Sequence, residues 1–376
     1  MLKASIVRER FYFVLAALGL ITAWCLNALA VFEQADYLKA WFGSTVDLVL
    51  SVDLSIVAIT AAGFMIYEAR RLKMKRVWLY FLVSGITALA FTLPLFMAFR
   101  ERKLREHRLA GGKLERLEFD SHIVDIWVPK GVHAKTPVLV MHDGRNIFDE
   151  KDSFTGKTWE VLTAIRDEVR GEQPLVIAVW GQSDETRLRE LAPQEILDAH
   201  PEFWDSLPQD FQKLRGPGFG DSYVSLLADA ILPFALERYG IEHDPNRTAV
   251  MGASMGGLIS FYALAKRPGH FGTAIGFSTH WPFGREVMVD ELTAMLPPAG
   301  THRIWTDHGD LELDAYYAPF HARAKELLHQ KGYQSADELV ANHYPYTGHH
   351  ESYWSRRVAD ALNWWLRAPG LYEPLT

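Results

Sequence analysis

The run Met251-Gly252-Ala253-Ser254-Met255-Gly256-Gly257 constrains this chain more than any other segment. Arg247–Met251 before it is short and apolar, as a buried strand would be, and Gly257–Lys266 after it reads as a helix. A serine on so sharp a strand-to-helix turn must take a backbone conformation in which neighbouring side chains collide. Glycines two residues before and two after relieve the collision, and the hydroxyl is held up beside the helix N-terminus. The segment therefore asks for a strand–turn–helix unit and offers Ser254 as a nucleophile.

The surroundings supply a sheet for it. From about Gly112 onward, strand-like and helix-like segments alternate, which marks an α/β fold. Leu117–Val128 reads as one or two edge strands. Pro137–Met141 and Pro174–Trp180 are continuous apolar runs typical of buried parallel strands. Trp159–Val169 and Ser222–Tyr239 are amphipathic helices. Thr273–Phe277, His302–Thr306 and Leu339–His343 supply further strands, and Glu351–Leu366 a closing helix. The polar stretch from Ala192 to Asp221 is too long for a simple connection and reads as a lid.

A serine hydroxyl needs a base, and the base an orienting acid. In a sheet of this kind the chain order is serine, acid, histidine. His349 and His350 alone follow the last strand and precede the last helix, where a loop can aim them at the serine. The acid should follow the strand ending near Thr306–Gly309, where Asp310, Glu312 and Asp314 share one turn; Asp307, nearer the strand, would tie the loop down. An oxyanion hole needs two fixed backbone donors. Met255 offers one, and Arg145, after the turn-permitting Gly144, offers the other. Arg187 and Arg189 follow a strand end and could meet an anionic substrate, while His280 and Trp281 could wall the pocket.

Charge and hydropathy divide the chain. Residues 1–109 hold 14 Lys and Arg against 8 Asp and Glu, a balance of +6, and the remainder balances at −13. An acidic larger part argues against nucleic-acid binding there. Phe11–Phe32, Thr45–Tyr67 and Val77–Phe99 are each long enough to cross a bilayer as a helix. The expected organisation is a three-helix transmembrane domain over 1–99, a basic juxtamembrane linker over 100–112, and a catalytic domain over 113–376. Lys3, Arg8, Arg10 and the 70–76 cluster would face one side, Lys39 and the 100–108 cations the other. That balance favours a cytoplasmic N-terminus and an extracytoplasmic catalytic domain. Cys25 lies in the first span, so the larger domain holds no disulfide. Asp53, deep in the second span, is either functional or bonded to a neighbour such as Asn27, Ser84 or Thr87; Asp47 can reach the interface.

These motifs carry two resemblances. Met141-His142-Asp143-Gly144-Arg145-Asn146-Ile147-Phe148-Asp149, the Gly252–Gly257 elbow, Ser278-Thr279-His280-Trp281, and Gly348-His349 with Trp354 resemble the esterase D and enterochelin esterase group of α/β-hydrolases, over roughly residues 115–368. The group usually has glutamine where Arg145 stands. The resemblance implies an α/β-hydrolase fold and, through the five-residue spacing to Trp354, selects His349 as the base. For the acid it implies Asp314, in Leu313-Asp314-Ala315-Tyr316-Tyr317, with Glu312 as the alternate. Asp53-Leu54, Glu68–Met74 and Leu93-Pro94-Leu95-Phe96 resemble small bacterial integral-membrane domains of unknown function.

The expectation is a membrane-embedded serine esterase of the bacterial inner membrane, cleaving an ester or thioester of a small molecule, glycan or lipid through an acyl-enzyme. No metal and no organic cofactor is expected, since His343, His349 and His350 suit the serine mechanism better than zinc. One alternative is an acyltransferase passing the acyl group to a sugar or lipid alcohol. Another is a membrane sensor whose hydrolase fold only binds.

Overall fold

The computed structural model describes residues 2–206 and 209–366. Residues 207 and 208 of the expected lid, and the last ten of the expected catalytic domain, lie outside the described residues. The chain divides into two compact units, Met1–Gly111 and Gly112–Thr376.

The first unit is helical: α1 (Leu2–Phe32), α2 (Tyr37–Phe42), α3 (Thr45–Arg71), α4 (Trp78–Ile86) and α5 (Leu89–Arg108). Among the described residues two helices, Ala4–Phe32 and Thr45–Arg71, are long and apolar enough to cross a membrane. Many of their large side chains point outward, among them Phe11, Ile21, Trp24, Leu50 and Ile59.

The expected third span, Val77–Phe99, is not one helix. Gly85 and the β-branched Ile86 and Thr87 are weak helix formers, and the chain leaves the helix at Thr87 and is extended at Ala88. Tyr80 then faces Phe96 with ring centroids 5.5 Å apart, so α4 and α5 fold back on each other as a helical hairpin. Inside α5, Pro94 has no N–H to give the Ala90 carbonyl. That carbonyl faces Gly19 of α1, where a Cβ would stand 2.1 Å from it. Glycine is required at this crossing. Asp53 lies exposed on α3, and two of its expected partners bond elsewhere: Asn27 to Ala23 and Tyr37, Thr87 to Val83.

The second unit is built on one sheet of β1 (Lys113–Phe119), β2 (His122–Val128), β3 (Val138–Met141), β4 (Leu175–Val179), β5 (Thr248–Ala253), β6 (Thr273–Phe277), β7 (Arg303–His308) and β8 (Leu339–His343), in the order β1-β2-β4-β3-β5-β6-β7-β8. Only β2 runs against its neighbours. This is the α/β-hydrolase arrangement. Every residue of β3, β4, β5 and β6 is buried, as expected of strands covered on both faces. Behind β5 the helix Met255–Lys266 is buried from Met255 through Leu264, which explains its lack of a polar face.

Two expected helices are interrupted. Ser222–Tyr239 widens into a π-helix over Leu226–Ile231, just before Pro233, which cannot donate to the turn behind it. The closing helix splits into Glu351–Trp354 and Val358–Leu366, and Arg357 turns inward between them. The 192–221 stretch is not structureless. It forms short helical turns, and its Ile196, Leu197, Phe203 and Trp204 join the main core.

Arg303 closes the far edge. Its Nε donates to the Asp337 carbonyl and its two Nη to the carbonyls of Trp365 and Trp364, while the guanidinium lies 4.1 Å from the Trp364 ring. The Trp364 and Trp365 carbonyls belong to the helix Val358–Leu366 and that of Asp337 to the turn before β8, so Arg303→Ala is expected to leave all three without this donor. The loss should be about 1–3 kcal/mol, read as a lowered urea midpoint followed by tryptophan fluorescence.

Candidate active site

Ser254 joins β5 to its helix with φ 58° and ψ −122°, in the region that L side chains avoid. The turn persists because its neighbours fix it. The Ser254 amide donates to the Phe277 carbonyl (2.9 Å), and the Ser254 carbonyl accepts from the amide of His280 (3.1 Å). Gly252 is obligatory, since a Cβ there would lie 2.6 Å from the Gly256 backbone. Met255 opens the helix, so its amide belongs to the first turn that has no intrahelical acceptor.

The turn after β3 lies alongside. Met141 pairs with Met251, and the His142 amide donates to the Met251 carbonyl. Arg145 is the middle residue of the short 3₁₀ turn Gly144–Asn146. Asp143, at φ 52°, is gripped by Arg187 through two bonds of 2.5 and 2.6 Å. Burial alone would raise the Asp143 carboxyl, but the Arg187 guanidinium outweighs it and holds the group below the ordinary carboxylate value. Arg187 is thus engaged in bracing this turn. Arg189 lies over the Phe219 ring, 4.7 Å from its centroid, in the 192–221 segment.

Beyond the C-terminal ends of β7 and β8, His349 Nδ1 stands 2.7 Å from Asp314 Oδ1. Asp314 Oδ2 accepts the Ser278 hydroxyl (2.6 Å) and the Gly309 amide (2.7 Å). Its burial works to raise the pKa, but the hydrogen bonds from His349 and Ser278 prevail and the group is lowered. Glu312 instead accepts the backbone amide of His349 (2.9 Å). Of the two candidate acids, Asp314 faces the imidazole and Glu312 holds the chain behind it. His350 caps the helix Glu351–Trp354 by accepting the Ser352 amide.

The two halves meet around Tyr317. Its hydroxyl is hydrogen-bonded to His280 Nδ1 and lies near Ser254, and its ring is 5.7 Å from that of His349. Burial pushes the Tyr317 hydroxyl well above its usual value, so it remains protonated. His280 is lowered to about 3 by burial, with the neighbouring His349 adding to the effect, and is neutral. Trp281, 1% exposed, is stacked on Phe261 in the core.

Sequence reasoning assigned no role to Tyr317, Ser278 or Arg357. Ser278, at φ 41°, accepts from Trp354 Nε1 (3.0 Å) and Arg357 Nη2 (2.9 Å) while donating to Asp314. Its amide donates to Asp307, which also pairs with Arg357 at 2.9 Å. The signal was present in part: Ser278 lies in a quoted motif and Tyr317 closes the Leu313–Tyr317 segment. Arg357 carried no signal, being one arginine in a terminal helix. Among the described residues no cluster of His, Cys, Asp or Glu has the form of a metal site.

Residues 204–365 match the model of the family described as "Putative esterase", and residues 11–102 that described as "Protein of unknown function DUF2834". "Uncharacterized protein YbbA" of Bacillus subtilis (strain 168) is 23% identical over 234 residues, covering 61% of this chain and 84% of its own length. "Iron(III) enterobactin esterase" of Dickeya dadantii (strain 3937) is 26% identical over 232 residues, 56% of this chain, which spans about half (51%) of that relative. Among solved structures, an enterobactin hydrolase, IroE, in complex with DFP is 19% identical, with 67% of this chain and 94% of that one covered and a TM-score of 0.48. The BES protein from Bacillus cereus is 14% identical, with 68% and 95% covered and a TM-score of 0.47. Both resemblances read from the motifs are met by the family matches. The esterase match supports an esterase-type hydrolase for this part of the chain.

The depressed Asp314 sets the sign of one pH effect. A carboxylate lowered by folding stabilises above its unfolded value, 3.8 here, and that contribution is lost as pH falls through the folded value. Wild type is therefore expected to be more stable than Asp314→Asn at neutral pH, with the gap closing below 3.8. Urea midpoints of the two proteins, measured across that range, check it.

Proposed function

We propose that this protein is a membrane-anchored serine esterase in which Ser254 is the nucleophile, His349 the base and Asp314 the orienting acid. The observation that carries the reading is the 2.7 Å pairing of His349 Nδ1 with a buried Asp314, on loops at the same sheet edge as the strained Ser254 turn. With Nδ1 committed to Asp314, Nε2 remains to exchange protons with substrate and serine.

Ser254 Oγ attacks the ester carbonyl while His349 Nε2 takes its proton. The Met255 and Arg145 amides stabilise the oxyanion. Collapse of the tetrahedral intermediate expels the alcohol, which receives the proton from His349. Water, deprotonated by the same imidazole, then releases the acid. Tyr317 and His280 wall the nucleophile on one side, and their neutrality keeps charge away from the serine. The apolar helices of residues 1–99 are read as the anchor, 100–112 as the linker and 113–376 as the catalytic domain.

The name of the Dickeya relative, an iron(III) enterobactin esterase, makes an enterobactin-type ester the first natural class to offer. Short-chain p-nitrophenyl esters are the general probe. With the full chain in detergent, a burst of p-nitrophenol followed by slower turnover is expected. Ser254→Ala should remove both, and Asp314→Asn should lower kcat by about 10⁴-fold, as loss of the orienting carboxylate does in such triads. Glu312→Gln should retain most of kcat. Equal turnover by wild type and Ser254→Ala would sink the reading.

A further inference from the structure

The helical hairpin changes which side of a membrane the catalytic unit occupies. If Val77–Phe99 were a third crossing, Arg100 and Glu101 would stand a bilayer's width from the start of α1 and the end of α3. They do not. Arg100 Nε bonds Glu68 Oε2 at 2.5 Å, and Glu101 Oε2 accepts from Arg8 Nε at 3.0 Å. Glu9 pairs with Arg102 and Arg105. The start of α1, the end of α3 and the second half of α5 are thus tied into one charged cluster at one end of the unit.

The helix directions agree. α5 runs opposite to α1, with Ala90 at Gly19, Phe99 at Phe13 and Glu101 at Ser5. It runs alongside α3 in the same sense, with Phe96 at Phe64 and Arg100 at Glu68. The hairpin tip sits beside Gly19, near the middle of the apolar stretch of α1. Neither limb is long enough to cross. The nine residues of α4 rise about 13 Å and Leu89–Phe99 about 16 Å, against a hydrocarbon core of roughly 30 Å.

Charge complementarity names the occupant of the outward apolar surface. The cations of the N-terminus, the 70–76 loop and the 100–108 helix all belong to one end, whereas the 33–44 connection at the other end holds Lys39 alone. An apolar belt with one cationic rim fits a lipid bilayer whose anionic cytoplasmic leaflet meets that rim. We infer that the first unit enters the bilayer as two crossings and a re-entrant helical hairpin, so that α5 leaves it on the same side as the N-terminus and the hydrolase unit lies in the cytoplasm. This replaces the extracytoplasmic placement expected from three crossings, and it rests on the membrane reading above. The substrate is then an ester present in the cytoplasm or at the inner leaflet.

The test is cysteine labelling of the full chain in a Cys25→Ala background, expressed in a bacterial host. Single cysteines replace Lys39 in the first connection, Lys73 in the second, and Glu118 in the hydrolase unit; all three are exposed. In intact spheroplasts a membrane-impermeant maleimide should label Lys39→Cys and spare Lys73→Cys and Glu118→Cys, which should react only after permeabilisation. Labelling of Glu118→Cys in intact spheroplasts, with the protein retained in carbonate-washed membranes, would overturn the topology and leave the anchor standing. Release of the protein by carbonate would overturn both. Retained p-nitrophenyl ester turnover in each variant reports that it is folded.

Discussion

The Arg357–Asp307 ion pair is the interaction on which the histidine side of the site depends. Both residues are at most 2% exposed, and a buried charge stripped of its partner is far more costly than the pair itself, by about 3–5 kcal/mol. Neither charge can therefore lose its partner without a large penalty. Arg357 also donates to Thr347 and Ser278, and Asp307 accepts from Trp305 and the Ser278 amide. The pair ties the ends of β6 and β7 to the loop carrying His349. Burial pushes the Asp307 carboxyl upward and the guanidinium opposes that push. Ser278 relays the arrangement to Asp314, so the acid facing the imidazole is positioned from below by residues that need not touch a substrate.

Backbone strain is built into the loops of the site. Asp143, Ser254, Ser278 and Glu312 all have positive φ without being glycine, and they come from four different loops around the site. Such conformations cost of order 1–3 kcal/mol each and persist only where the surroundings fix them. Here the fixing is explicit: Arg187 for Asp143, the Phe277 carbonyl for Ser254, Asp307 for Ser278, and the Glu312 carboxylate's own bond to the His349 amide.

The larger unit was legible wherever a local pattern matched the element formed. Apolar runs marked β3, β4 and β5 because strands buried on both faces have no polar alternation to disguise them. The serine turn was legible through Gly252, whose close approach to Gly256 excludes any side chain. What could not be read came from tertiary context. Choosing between Glu312 and Asp314 from the residues alone was impossible, since two carboxylates two positions apart differ only in which one the 3₁₀ turn aims inward. Arg187 and Arg189 read as exposed cations, yet one is spent on Asp143 and the other packs over Phe219. The α4–α5 reversal was hidden for a different reason. Hydropathy measures length and composition, and a hairpin of two short apolar helices has the same average as one long helix.

The Asn146–Glu351 contact links the turn after β3 to the helix after His349. Glu351, 4% exposed, accepts from the side-chain Nδ2 of Asn146 at 3.1 Å and the Thr155 hydroxyl at 2.8 Å. The bridged segments lie 205 positions apart in sequence. An active-site rim latched in this way is not a set of exchangeable modules. Grafting either loop from a relative would carry over only half of the latch, so recombination among such enzymes should succeed when both segments travel together and fail when a crossover separates them.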